Sequence, residues 1–154
     1  NRNEKKNIMS KLNLLREYKS IIIEEFIPGR EIQSAIIGTK KLGAIELKPK
    51  REFYDYKAKY NPEAKTKHII PVSLPKKKLD ELMNITLKTH KLINCRGVTR
   101  SDFKYFKARF YLLEINTQPG MTPTSLVPEQ ANFIGMSFED LCDWLIEDAC
   151  IDKT

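Results

Sequence analysis

Hydrophobic and polar positions change rhythm several times along the chain, and each change marks an element. Ile8, Leu12 and Leu15 recur at helical spacing, predicting a short polar helix from Asn3 to Tyr18. Ser20-Ile-Ile-Ile-Glu-Glu-Phe26 reads as a strand closed by the turn pair Pro28-Gly29, and Glu31–Ile37 as a second. Gly38–Gly43 is expected to be a hairpin loop into Ala44–Leu47, and His68–Val72 a short extended piece. Pro75 then opens a helix with Leu79, Leu82, Met83, Thr86, Leu87, His90 and Leu92 along one side, where His90 reads as half-buried packing. Gly97–Phe103 and Arg109–Ile115 are expected to form an antiparallel hairpin. Two helices should follow, around Val127–Ile134 and Ser137–Cys150, the last capped by Ser137 with Asp140. Antiparallel strands with interspersed helices make an α+β fold.

The stretch from Pro49 to Lys67 breaks this rhythm. It is polar, rich in tyrosine and lysine, and has no sustained period. Two readings stand: an active-site lid, or a disordered surface loop whose Phe53, Tyr54, Tyr56 and Tyr60 are unusually aromatic for disorder.

With 154 residues, 41% of them hydrophobic, the chain has enough material for one cored domain, or one domain plus part of another. It carries no apolar run long enough to span a bilayer and no leader-like start, and it lacks an initiator Met. Cys95, Cys142 and Cys150 lack metal-site spacing, so reduced thiols in a cytoplasmic location are expected. The net charge of +7 fits an anionic partner or a solvated lysine-rich face, and the scattered lysines show no aromatic-interleaved RNA pattern. No nucleic-acid or membrane partner is expected.

Strand alternation locates the candidate chemistry. Glu114 and Asn116 share one face of a hydrophobic strand, as do Arg100 and Asp102 on the strand before it. Pairing of the two strands would bring Asp102 beside Glu114, and two close carboxylates call for a cation or a raised pKa. With Asn116 the set offers oxygen ligands suited to Mg²⁺; as a plain alternative, it is a surface ion-pair ladder with Arg100. Beyond the strand, Gly120 permits close backbone approach to a ligand and Ser125 offers a hydroxyl.

Four collinear blocks resemble the C-terminal part of the D-alanine–D-alanine ligase family of ATP-grasp enzymes: Ile23-Glu-Glu-Phe-Ile-Pro-Gly-Arg-Glu31, Phe53-Tyr-Asp-Tyr-Lys-Ala-Lys-Tyr60, Cys95-Arg-Gly-Val-Thr-Arg-Ser-Asp-Phe103 and Leu113-Glu-Ile-Asn-Thr-Gln-Pro-Gly-Met-Thr-Pro-Thr-Ser-Leu126. The tail Gly135-Met-Ser-Phe-Glu-Asp-Leu141 is similar too. The resemblance implies an ATP-grasp C-terminal domain over residues 32–154, preceded by the tail of the central domain over residues 1–31.

It also implies roles. Asp102, Glu114 and Asn116 would hold two Mg²⁺ ions, for which Mn²⁺ could substitute. Arg100 and the Gly120 backbone would stabilise the developing oxyanion. Ser125 and Leu126 would hold the carboxylate of the second D-alanine. Glu24, Glu31, the Glu25 and Ile27 backbone, and the apolar Phe53 and Leu113 would receive ATP. Lys59 would contact the transferred phosphate, and Tyr60 would help close the site. The implied partners are ATP and D-alanine, with a second copy of the enzyme in a homodimer.

Family enzymes are about twice this length. Their first half, with the first D-alanine site, the phosphate-binding lysines and a glycine-rich loop, has no counterpart in the chain. The 154 residues alone are therefore expected not to make dipeptide. Another ATP-grasp ligase, a non-catalytic nucleotide-binding module and a basic RNA-binding domain are the competing readings.

Overall fold

The structure is a computed structural model that describes residues 2–48 and 66–151. Among the described residues the order is α1 (Arg2–Leu14), β1 (Arg30–Ile37), β2 (Lys40–Lys48), β3 (Lys67–Ile69), α2 (Lys76–Leu92), β4 (Val98–Phe106), β5 (Arg109–Asn116), α3 (Leu126–Phe133) and α4 (Phe138–Asp148). The strands form one antiparallel sheet in the order β3-β2-β1-β4-β5, so the expected α+β architecture is present.

The central strand β1 is buried on both faces over Ile32–Ile37. In β1, Ile32 points to a cluster with Ala44, Phe103, Val72 and Leu82, the last from α2. Ala35 and Ile37 point to a second cluster with Leu42, Val98, Val127, Ala131 and Leu141, into which Trp144 also packs. Alternation therefore puts α2 on one face and the pair α3–α4 on the other. Gln130 locks α3 in place: its Oε1 accepts from the Ala35 N–H at 3.1 Å, where the β1–β2 register shifts, and its amide donates to the Leu126 carbonyl at 3.0 Å. The expected cap of α4 is present. Ser137 Oγ accepts from the Asp140 N–H at 3.0 Å, and the Asp140 carboxylate accepts from the Ser137 N–H at 3.1 Å.

Three expectations are corrected. Ser20–Phe26 is not a strand here: the segment has no regular structure, and Ile22, Ile23 and Phe26 are exposed. Its hydrophobicity signals burial, but an extended segment becomes a strand only beside a hydrogen-bonding neighbour, and no described residue supplies one. Gly38–Gly43 is not a long loop either, because β2 already starts at Lys40.

His90 is fully buried rather than half-buried, with Nδ1 2.8 Å from Thr99 Oγ1 on β4. Burial lowers its pKa from the ordinary value, against a hydrogen bond with the Cys95 backbone that raises it, and nearby Lys91 lowers it further. A base whose folded pKa is depressed is neutral in both states above the unfolded value, near 6.5, and contributes its full stability there. Below that pH the unfolded chain takes up the proton first, and stability is lost as pH falls toward the depressed folded value. Denaturant unfolding between pH 7 and pH 5 should show this acid loss, bounded by about 1.4 kcal/mol per pH unit for one proton. His90→Gln should flatten the slope. An unchanged slope would remove His90 as its source.

Candidate active site

The face that α3 and α4 cover at one end is polar and uncovered by them at the other. On β4, Arg100 and Asp102 lie buried side by side, and the guanidinium forks onto the carboxylate: Nε donates to Oδ1 at 2.8 Å and Nη2 to Oδ2 at 3.0 Å. Gln33 of β1, directly opposite Asp102, donates a further hydrogen bond to Oδ2 at 3.2 Å. On the other side, Asp102 faces Glu114 and Arg100 faces Asn116 across the β4–β5 ladder. Asn116 Nδ2 donates to Glu114 Oε1 at 3.2 Å along the strand. Four of the predicted residues thus share one patch.

A β-bulge creates this pairing. β4 and β5 are joined by the two-residue turn Lys107–Ala108, both in the left-handed region with φ of 47° and 59°, and Phe106 faces Arg109. Uninterrupted counting from that turn would set Asp102 against Leu113. The register shift between Asp102 and Phe103 passes over Leu113 and returns Glu114 to Asp102. One residue of slip would have sent the second carboxylate to the opposite face.

The loop after β5 carries the next group. Ser125 precedes α3, yet its hydroxyl does not cap the helix; it accepts from the Thr122 N–H at 3.1 Å and lies 2.8 Å from Thr122 Oγ1. Gly120 packs against it, since a Cβ there would lie 3.1 Å from Ser125 Oγ. Leu126 is the first residue of α3, which Gln130 ties to β1 and Glu129 to β3, the latter with its Oε1 2.8 Å from His68 Nδ1.

Toward the far end of β1, Glu31 sits on the same sheet face as Gln33 and pairs with Lys104 at 3.1 Å. Leu113 is half exposed at the bulge. Glu24 and Glu25 are exposed and Ile27 half-buried in the irregular segment before β1, so they are not brought into the patch by a strand. Phe53, Lys59 and Tyr60 lie outside the described residues. The sequence reading missed Gln33, Lys104 and Thr122. Gln33 left a signal, since with Ser34 it interrupts the apolar run Ile32-Gln-Ser-Ala-Ile-Ile37.

The donor chemistry suits a hard cation. Two carboxylates and an amide offer only oxygen, and Glu114 is exposed while Asp102 is anchored. Among the described residues no three His, Cys, Asp or Glu converge, so Asn116 and non-protein oxygens would have to complete a coordination shell. One buried oxygen, Gln33 Oε1, has no hydrogen-bond partner among the described residues.

Residues 1–147 match the family model described as "D-ala D-ala ligase C-terminus". The chain belongs to this family. A D-alanine–D-alanine ligase of Pelagibacter ubique (strain HTCC1062) is 59% identical over 150 residues, covering 97% of this chain and 49% of that protein. One from Zymomonas mobilis subsp. mobilis is 44% identical over 143 residues, covering 90% and 44%. The crystal structure of the Bacillus anthracis D-alanine–D-alanine ligase complexed with ATP superposes with a TM-score of 0.77 at 28% identity, over 94% of this chain and 46% of that one. The matching part of that solved ligase therefore has the fold of this chain, which spans about half the length of the curated relatives it matches. No helix among the described residues is long and apolar enough to cross a membrane.

Proposed function

We propose that this chain forms the C-terminal half of an ATP-dependent D-alanine–D-alanine ligase, supplying one wall of an active site whose other wall comes from the preceding half. The observation that carries this reading is the bulge-set patch of Arg100, Asp102, Glu114 and Asn116 in a chain of this family. The reaction has two steps. The carboxylate of one D-alanine attacks the γ-phosphorus of ATP, releasing ADP and leaving an acylphosphate. The amine of a second D-alanine then attacks the acyl carbon, phosphate departs, and the peptide bond remains.

Asp102, Glu114 and Asn116 would hold two Mg²⁺ ions, with Mn²⁺ as a substitute. Bound there, the ions would supply positive charge against the phosphates during phosphoryl transfer. Arg100 holds Asp102 in place and presents positive charge toward the oxyanion that develops when the amine attacks, aided by the Gly120 N–H. Ser125 and the Leu126 N–H, at an α3 N-terminus with its positive dipole end, would bind the carboxylate of the second D-alanine. Glu24, Glu25 and Ile27 with Phe53 and Leu113 would receive the adenine, and Glu31 the ribose. Lys59 and Tyr60 would close over the reacting groups, because the acylphosphate must be kept from water.

The exposed apolar side chains of the leading segment, among them Ile8, Met9, Ile22, Ile23 and Phe26, support assigning residues 1–31 to the tail of a central domain and 32–154 to the C-terminal domain. The dipeptide would serve peptidoglycan synthesis in the cytoplasm, and the complete enzyme would be a homodimer. A hybrid in which this chain replaces the matching half of the Pelagibacter ubique relative tests the reading. The hybrid is expected to convert D-alanine and ATP into D-alanyl-D-alanine with one ADP per dipeptide, while the chain alone makes none. A folded hybrid that yields no dipeptide, or one that couples D-serine or D-lactate in preference to D-alanine at neutral pH, would overturn it.

A further inference from the structure

Glu31 and Lys104 are directly opposed residues of β1 and β4, on the sheet face that carries Gln33, Asp102 and Arg100. Lys104 Nζ donates to Glu31 Oε2 at 3.1 Å, and both side chains are largely buried, at 22% and 14% exposure. Glu31 Oε1 takes no hydrogen bond among the described residues. The carboxylate is thus committed through one oxygen and open through the other. Directly opposed residues on neighbouring strands stand close enough for such a contact without stretching either backbone. From Lys104 to Arg100 the strand runs on the order of 13 Å. That places Glu31 at one end, and the Arg100–Asp102 pair at the other, of a row commensurate with the ribose-to-terminal-phosphate span of a nucleoside triphosphate.

We propose that Lys104 is a positioning residue that fixes the Glu31 carboxylate for the ribose hydroxyls of the nucleotide, and thereby sets a preference for ribo- over 2′-deoxyribonucleotide. The proposal rests on the ligase reading for the place of the nucleotide. A free glutamate samples several rotamers, and each hydroxyl contact would then have to order it. With Oε2 held by the Lys104 ammonium, the side chain is fixed in place and Oε1 is left as an acceptor. Lys104 is not a phosphate ligand on this account, because its charge is spent on Glu31. A phosphate contact would weaken ATP and 2′-deoxy-ATP alike.

The test is calorimetric binding of Mg-ATP and Mg-2′-deoxy-ATP to the hybrid enzyme, which needs no turnover. Wild type should prefer ATP by about tenfold, the worth of a hydrogen bond to a charged acceptor. Glu31→Gln and Lys104→Met should each bring the two affinities close to equal, and Lys104→Arg should restore most of the preference, each variant being compared below its own thermal midpoint because breaking a largely buried ion pair lowers stability. Equal weakening of both nucleotides in Lys104→Met overturns the proposal in favour of a phosphate contact. A preference unmoved by Glu31→Gln overturns it by removing Glu31 from the ribose. Absence of dipeptide synthesis in a hybrid that still shows the Lys104-dependent preference is failure of the ligase reading alone.

Discussion

Asp102→Asn is expected to lower dipeptide synthesis by the hybrid enzyme about a thousandfold at saturating Mg²⁺, because metal charge stabilisation is worth several kcal/mol and about 4 kcal/mol is a factor of a thousand. Asparagine keeps the shape of the side chain and removes the charge. It also offers a single oxygen where the carboxylate uses two for the Arg100 fork, at 2.8 and 3.0 Å. Stability should fall as well, since a buried guanidinium loses its anionic partner. Glu114→Gln separates the two effects: Glu114 is exposed, so its loss should cost activity to a similar degree with little change in thermal midpoint. Initial rates over a Mg²⁺ titration, with melting curves for both variants, make the comparison. If each variant kept more than about a tenth of the wild-type rate, against the drop expected from lost charge stabilisation, the two carboxylates would not form the metal platform.

The success and the failure of the sequence reading have the same physical origin. Period-two alternation places Glu114 with Asn116 and Arg100 with Asp102, because it depends only on each strand's own pleat. That Asp102 meets Glu114 depends on register. The turn that sets the register is Lys107–Ala108, which lacks the glycine or asparagine that usually announces such a turn, and the bulge at Leu113 leaves no mark in composition. Gln33 and Lys104 escaped for a related reason: they matter through β1–β4 pairing, between strands about seventy residues apart in sequence. Ser20–Phe26 failed in the opposite direction. Its hydrophobicity was legible, while the partner that would make it a strand is not among the described residues. Local rhythm was enough for elements and faces, and it could not supply non-local neighbours.

The entry to β1 makes a second strong demand on sequence. Gly29 has φ of +113°, and a Cβ placed on it would lie 2.4 Å from the Tyr105 carbonyl oxygen and 3.1 Å from Phe106 Cβ. The obstacle is β4 backbone, which cannot step aside as a side chain tip could. The next residue adds to the constraint: Arg30 faces Tyr105 across the ladder, lies over its ring at 5.9 Å, and forks onto Glu46 at 3.0 and 2.6 Å. Moving Gly29 away from β4 would pull on that network and on Glu31 beside it. Gly29→Ala should therefore destabilise the chain by about 3 kcal/mol, a conformational penalty of about 1–2 kcal/mol plus the clash. At this size that is a fall of roughly 10 °C in Tm. Gly135 provides the control: its φ is +84°, and a Cβ there meets nothing within 4 Å, so Gly135→Ala should show the conformational penalty alone. Denaturant unfolding of the two variants beside wild type decides it. Equal losses would mean that the close approach of β1 to β4 is not what requires glycine at position 29, whereas a larger loss at Gly29 ties the strand pair that carries Glu31, Gln33 and Asp102 to a single missing methyl group.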